Sequence, residues 1–145
     1  MAEQKRFEFL EHTADVYIAA YGRDLAEAFE NAALAMFDVM TEVATIAPVV
    51  KDIVEVAAED EYALLYSWLE ALLVKFDIED MLYSKFKILD LQKTGEEFML
   101  KAEIWGEKFN PQKHTPKVGV KAVTYHMMEI VKETDNVTLK FILDI

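Results

Sequence analysis

The sequence has no cysteine, which excludes disulfide bonds, zinc–thiolate sites, iron–sulfur clusters and cysteine nucleophiles. A metal ion would therefore need oxygen or imidazole ligands. Glycine and proline are also scarce, with 4 and 3 residues among 145, so no collagen-like or linker-like segment divides the chain. Together with a hydrophobic content of 53%, these absences indicate one folded domain over residues 1–145.

Long hydrophobic runs are missing as well. The longest apolar stretch, from Ala63 to Val74, contains Ser67 and Glu70 and is too short to span a bilayer. The first residues, Met1 to Arg6, are polar and do not have the pattern of a secretion signal. We therefore expect a cytoplasmic protein that does not associate with membranes.

The sequence also has few positively charged residues relative to its acidic ones. The chain has 15 Lys and Arg residues against 27 Asp and Glu residues, a net charge of -12, so we expect no direct, sequence-specific binding of nucleic acid. The deficit is uneven, since residues 1–60 carry 4 basic and 13 acidic side chains whereas residues 101–145 carry 7 and 6. Familiar catalytic signatures are absent too, because no GxxxxGK(S/T), GxGxxG, HExxH or GxSxG motif occurs.

What is present is a pattern of hydrophobic residues that predicts an α+β domain of two layers, with two amphipathic helices packed on a mainly antiparallel sheet of six or seven strands. The first helix is predicted from Asp24 to Met40, and the second from Asp60 to Phe76. The predicted strands lie around Phe7–Phe9 and Val16–Ala20 and over Val50–Ala57, Leu82–Leu91, Glu97–Gly106, Val123–Lys132 and Val137–Ile145. The pattern does not specify the strand order.

One basic segment, residues 108–121, lies on this acidic chain and contains no carboxylate. It carries His114 and four lysines, Lys108, Lys113, Lys117 and Lys121. The segment is either a solvated loop that balances nearby acids or a contact surface for phosphate or an acidic partner. Among the other histidines, His12 is predicted in a loop and, like His114, is a candidate for function, whereas His126 lies in a predicted strand, where a structural role is favoured.

The end of the last predicted strand carries two carboxylates, the side chain of Asp144 and the α-carboxylate of Ile145. If Asp15, in the predicted loop between the first two strands, approaches them, the three groups form an oxygen-only site suited to Ca²⁺ or Mg²⁺. Otherwise Asp15 is a turn or cap residue and the terminal carboxylates face bulk water. Spacing alone leaves both interpretations open.

Four short motifs, spread over essentially the whole chain, resemble those of the archease family. They are Glu11–Asp15 (EHTAD), Trp105–Glu107 with His114 downstream, Lys121–His126 (KAVTYH) and Leu143–Ile145 (LDI). Each motif is short, but their order and the length of the chain agree with the family. The sequence is therefore similar to archease throughout, and an archease-like fold is expected.

This resemblance implies an accessory protein that is not itself an enzyme. It implies activation of the tRNA-splicing RNA ligase, in which the accessory protein promotes guanylylation of the ligase histidine and multiple turnover in joining 2',3'-cyclic phosphate or 3'-phosphate RNA ends to 5'-hydroxyl ends. It also implies a divalent metal ion, typically Ca²⁺ with Mg²⁺ or Mn²⁺ as alternatives, bound by Asp15, Asp144 and the terminal carboxylate of Ile145.

Contacts with the partner or with phosphate are expected from four residues, His12, His114, Lys117 and Lys121. A chaperone-like role towards a tRNA methyltransferase is the alternative that the resemblance implies. A third hypothesis, from a different class, is a stand-alone metal-dependent hydrolase that uses Asp15 and Asp144 with His12 as a general base.

Overall fold

The structure is a computed structural model that describes residues 5–11 and 15–145. Within these ranges the chain forms two α-helices, one short 3-10 helix and eight strands. The elements in chain order are β1 (Phe7–Leu10), β2 (Val16–Gly22), α1 (Leu25–Met40), the 3-10 helix (Val43–Thr45), β3 (Val50–Ala58), α2 (Glu61–Glu79), β4 (Met81–Thr94), β5 (Glu97–Lys108), β6 (Ala122–Val123), β7 (Glu129–Glu133) and β8 (Asn136–Asp144). The predicted α+β class, with two helices on antiparallel strands, is confirmed.

The strands form two sheets, whereas the sequence pattern predicted one. A five-stranded sheet has the order β1-β2-β8-β6, with β7 also paired to β8, and a three-stranded sheet has the order β3-β5-β4. Every pairing is antiparallel. In the three-stranded sheet β5 is the central strand, with β3 paired to one of its edges and β4 to the other.

Helix α1 links the two sheets. Its Asn31 side chain donates to the backbone oxygen of Tyr21 in β2 at 2.7 Å, and its Phe37 ring meets the Tyr83 ring of β4 with centroids 5.8 Å apart. The fully buried Trp68 of α2 donates its indole N–H to the backbone oxygen of Phe29 at 2.9 Å, which joins the helices. The hydrophobic core is therefore one continuous cluster, in which the buried indole N–H of Trp68 has a hydrogen-bond partner.

Both predicted helix starts are confirmed by their caps. Asp24 Oδ1 accepts from the Glu27 N–H and Asp60 Oδ1 accepts from the Ala63 N–H, each at 2.8 Å. Helix α2 continues to Glu79, three residues beyond the predicted end at Phe76, and stops where Asp80 adopts φ 57°. In the part of the chain that the structure describes, neither helix is long and apolar enough to cross a membrane.

The predicted strand Val123–Lys132 is wrong, because the chain leaves the sheet between β6 and β7. Val123 faces Leu143 of β8, and Glu129 faces Lys140 of β8. The chain therefore advances six residues from Val123 to Glu129 while β8 spans only three, so the segment between β6 and β7 has three residues more than continuous pairing with β8 would need. The extra length forms a turn over residues 124–128, closed by the Met128 N–H to Tyr125 oxygen hydrogen bond at 3.1 Å. His126 lies exposed in this turn and not in a strand, which corrects the structural role that the pattern favoured.

Candidate functional site

The pairing of β2 with β8 brings Asp15 to the end of the sheet where Asp144 lies. Val16, the first residue of β2, faces Leu143 across the antiparallel ladder. One step further outward, Asp15, the residue before β2, and Asp144, the last residue of β8, therefore lie at the same end of two adjacent strands. Ile145 directly follows Asp144, so all three residues of the predicted ligand set are at this end of the sheet, which we call the carboxylate edge.

The strand on the other side of β8 completes this edge. Ala122 faces Asp144, and the Lys121 N–H donates to the Asp144 backbone oxygen at 2.8 Å. This backbone bond fixes the direction in which β8 ends, while the Asp144 side chain stays exposed. Lys121 is also exposed and lies beside the two terminal residues.

The carboxylates at this edge have no cationic partner in the described ranges. Across residues 5–11 and 15–145, no lysine, arginine or histidine forms an ion pair with Asp15 or Asp144. In the same ranges no three His, Asp or Glu side chains are grouped to hold a metal ion. The predicted ligand set of Asp15, Asp144 and Ile145 includes only two such side chains. Its third donor is the main-chain carboxylate of Ile145. Oxygen donors of this kind suit a hard cation such as Ca²⁺.

A cleft of about 300 Å³ opens next to Asp15, between β1, β2 and the end of α1. Asp38 of α1 lines it, and Lys117 lines it from the basic segment with its Nζ 3.8 Å from Asp38 Oδ2. Asp38 also accepts the Val43 N–H at 3.1 Å. Sequence reasoning did not single out Asp38, since in the sequence it is one charged residue on a helix and only the tertiary structure places it beside Asp15.

The basic segment is docked on the C-terminal end of α1. The N–H groups of Lys117 and Val118 donate to the backbone oxygens of Met40 and Val39 at 2.9 and 3.2 Å. These carbonyls belong to the last turn of the helix and have no partner within it. Thr41 Oγ1 adds a third bond by donating to the Thr115 oxygen at 2.9 Å. The segment is therefore held in place and sets one wall of the cleft.

His114 anchors the same segment from inside. Its ring is fully buried, and Nδ1 accepts the Asn110 N–H at 2.9 Å, so the proton of the neutral ring lies on Nε2. Nε2 donates to Glu107 Oε2 at 2.8 Å. The same oxygen accepts from Lys113 Nζ at 2.8 Å and from the Ala47 N–H at 2.9 Å. Burial alone would raise the pKa of Glu107, but these three donors lower it to about 2.

The candidate contact residues thus differ in accessibility. Both ring nitrogens of His114 are used within the chain, so a contact with a partner would require the segment to open. Lys117 and Lys121 are exposed and lie near the carboxylate edge. His12, like Thr13 and Ala14 of the same motif, lies outside the described residues. Three lysines of the segment have partners in the chain: Lys113 pairs with Glu107, Lys117 pairs with Asp38, and Lys108 donates to the Glu79 backbone oxygen at 2.7 Å.

Comparison with known proteins agrees with this architecture. The model of the Archease protein family (MTH1598/TM1083) matches residues 7–145. The protein archease of Sulfolobus acidocaldarius is 48% identical over 141 residues, and that of Sulfurisphaera tokodaii is 47% identical over 141 residues. Each match covers 97% of this chain and 99% of the relative.

A solved structure is also similar. The solution structure of Methanobacterium thermoautotrophicum protein 1598 superposes with a TM-score of 0.85 at 43% identity, covering 98% of this chain and 100% of that one. A family match over nearly the whole chain and relatives of such identity and coverage lead to one conclusion. The chain belongs to the archease family.

Proposed function

We propose that this protein activates the tRNA-splicing RNA ligase by binding a divalent cation at the carboxylate edge and presenting it to the ligase active site. Membership of the archease family supports an accessory, chaperone-like role. The specific partner and the cation are our proposal. The observation that carries it is the register of β2 and β8, which brings Asp15 and Asp144 to one edge although 129 positions separate them in the sequence.

The electrostatics of the edge favour a cation. Two carboxylates at the same end of adjacent strands repel each other, and in the described ranges no basic side chain pairs with either of them. Asp15, Asp144 and the terminal carboxylate of Ile145 would supply only oxygen donors, the ligand type that Ca²⁺, Mg²⁺ and Mn²⁺ share. When bound there, the cation offsets the negative charge of nucleotide phosphates.

The chain's own residues have separate tasks in this proposal. Asp15 and Asp144 provide the fixed negative charge that holds the cation, and the backbone bond from Lys121 keeps the end of β8 in position. The side chains of Lys117 and Lys121 add positive charge beside the edge, which steers a phosphate-bearing partner into register. The ligase supplies the nucleophilic histidine, so this protein needs no nucleophile of its own.

The test measures guanylylation of the ligase histidine with purified ligase, GTP and metal. We expect Asp144→Asn, and separately a protein with two residues appended after Ile145, to lose stimulation while keeping the wild-type unfolding midpoint. Glu129→Gln is the matched control, because it removes an exposed carboxylate from the neighbouring strand β7 without altering the edge. Full stimulation by both edge variants would contradict the proposal.

A second candidate function is a chaperone-like role towards a tRNA methyltransferase. It is favoured by exposed apolar side chains on the three-stranded sheet, where Ile53, Leu89 and Met99 are 49%, 46% and 45% exposed. Light scattering of the methyltransferase during heating separates the two functions. Protection that survives Asp144→Asn and is lost in Ile53→Ser would support the chaperone role, and the reverse result would support the metal-dependent one.

A further inference from the structure

Aromatic side chains form an exposed surface on α2 and the neighbouring turn of residues 124–128. Tyr66 of α2 and Tyr125 of the turn stack with ring centroids 4.5 Å apart and an interplanar angle of 6°. Tyr62, four residues before Tyr66 on the same helix face, is 42% exposed, and Met127 is 47% exposed. We call the three tyrosine side chains the tyrosine patch.

The outer ring of the stack is available to a ligand. One face of the Tyr125 ring is covered by Tyr66, yet 53% of the residue remains exposed. The opposite face of the ring is therefore open to solvent. An exposed aromatic face attracts a cation placed over it, and a planar guanidinium also stacks on it.

Carboxylates surround the patch and favour the same kind of ligand. Glu70 is exposed on the helix face of Tyr62 and Tyr66, and Glu59 is exposed just before the helix. In the part of the chain that the structure describes, neither glutamate forms an ion pair, and the partner of Glu70 is the Tyr66 hydroxyl, whose pKa is raised by its hydrogen bond to that carboxylate. Burial and the charges of Asp60, Glu59 and Glu70 raise the pKa of Tyr125, as expected when carboxylates lie near the ring.

We propose that the tyrosine patch binds an arginine-bearing segment of a partner protein, with a guanidinium stacked on the free face of Tyr125 and paired with a neighbouring glutamate. This inference goes beyond the proposed function because it concerns a surface without metal ligands. Arginine fits better than lysine, since its planar fork both stacks on an aromatic ring and donates two hydrogen bonds to a carboxylate. RNA does not fit, because the patch is rimmed by negative charge on a chain of net charge -12.

The turn holds Tyr125 in position for this contact. Met127 adopts φ 56°, a left-handed conformation that is uncommon for a residue with a long side chain. The Thr124 N–H and hydroxyl both bond to the Ile142 oxygen, at 3.3 and 2.9 Å, which ties the start of the turn to β8. Tyr125 therefore lies on a turn that is tied to β8, and it loses little conformational freedom when a partner binds.

The test uses two fluorescent glycine–serine peptides, one with three arginines and one with three lysines in the same positions, and measures their dissociation constants by anisotropy. We expect the arginine peptide to bind several-fold more tightly than the lysine peptide. Tyr125→Ala should weaken it by about tenfold, since it removes the stacking surface. Glu70→Gln should weaken it several-fold and reduce the salt dependence.

Ile78→Ala is the control, because Ile78 is 76% exposed on the same helix but outside the patch, and it should leave binding unchanged. A chelator should also leave peptide binding unchanged. A negative result for the tyrosine patch is therefore distinguishable from a negative result for the metal site at the carboxylate edge. Equal binding of the two peptides with no loss in Tyr125→Ala would overturn the proposal. Tighter binding of a single-stranded RNA, or self-association that Tyr125→Ala abolishes, would overturn it in favour of a different occupant.

Discussion

The network around Glu107 leads to a quantitative prediction about the basic segment that borders the cleft. Replacing Glu107 with glutamine keeps the side-chain volume but removes the negative charge that three donors share. His114, Lys113 and the Ala47 N–H all bond to Oε2 within 2.8–2.9 Å. An amide oxygen accepts two hydrogen bonds, so at least one donor loses its partner and the remaining bonds are no longer charge-assisted.

The expected cost follows from the burial of this network. A hydrogen bond to a charged group contributes about 1.5–3 kcal/mol, and charge-assisted bonds are roughly twice as strong as neutral ones. We therefore expect Glu107→Gln to lower the free energy of unfolding by about 2 kcal/mol at neutral pH. Glu107→Ala should cost about 3–4 kcal/mol, because it leaves the buried His114 donor unpaired.

The control is Glu103→Gln on the same strand. Glu103 has a similar exposure but a single ion pair, with the exposed Lys51 at 3.1 Å, and such pairs contribute about 0.2–1 kcal/mol. Urea unfolding followed by the fluorescence of the two tryptophans, Trp68 and Trp105, measures all three variants. If Glu107→Gln were no less stable than Glu103→Gln, the reasoning about the shared oxygen would be refuted.

The lowered pKa of Glu107 predicts that the stability difference between wild type and Glu107→Gln depends on pH. The folded-state pKa of Glu107, about 2, lies below the ordinary value of 4.5 for a glutamate side chain, so its contribution to stability is fully present above pH 4.5 and is lost as the pH falls towards 2. The difference in stability between wild type and Glu107→Gln should therefore be largest at neutral pH and shrink below pH 4.5. A difference that grew on acidification would contradict the assigned direction of the shift.

Three further predictions concern the frame that positions the carboxylate edge. Gly106→Ala should destabilise the protein by about 3 kcal/mol or more, because the new Cβ would lie 1.8 Å from the Leu82 backbone oxygen; Gly119→Ala, with no atom within 4 Å, should change the urea midpoint little. Asp24→Ala should cost about 1 kcal/mol by removing the cap of α1, and calorimetry that found no change would contradict the capping role. Trp68→Phe should cost about 1–3 kcal/mol in urea unfolding, because it removes the indole donor and leaves the Phe29 oxygen without this partner; a cost below that of Glu103→Gln would contradict it.

Local features of the fold could be predicted from the sequence, whereas long-range pairings could not. The predicted cap at Asp24 and the negative charge around Asp60 marked the two helix starts, because both signals depend on neighbours within one turn. The division into two sheets depends on which strands pair with one another across long sequence separations, and no local pattern encodes that. The predicted strand Val123–Lys132 failed because β-branched and aromatic residues continue through a turn whose extra length is visible only against β8.

The candidate site divides in the same way. Residue types and motifs suggested Asp15, Asp144 and Ile145, but their common edge depends on the pairing of β2 with β8. Polar neighbours correctly indicated a loop around His114 and gave no sign that the ring is buried against Glu107. No motif or spacing in the sequence indicated Asp38, because its position in the cleft arises from the packing of α1 against the basic segment.

The most direct test of the carboxylate edge is calorimetric titration of Ca²⁺ into three proteins: the wild type, Asp144→Asn and the protein extended beyond Ile145. We predict that the wild type binds one ion per chain, and that each variant binds at least about tenfold more weakly while unfolding at the wild-type urea midpoint. Equal affinity in all three proteins, or no binding by the wild type, would contradict a cation site at this edge.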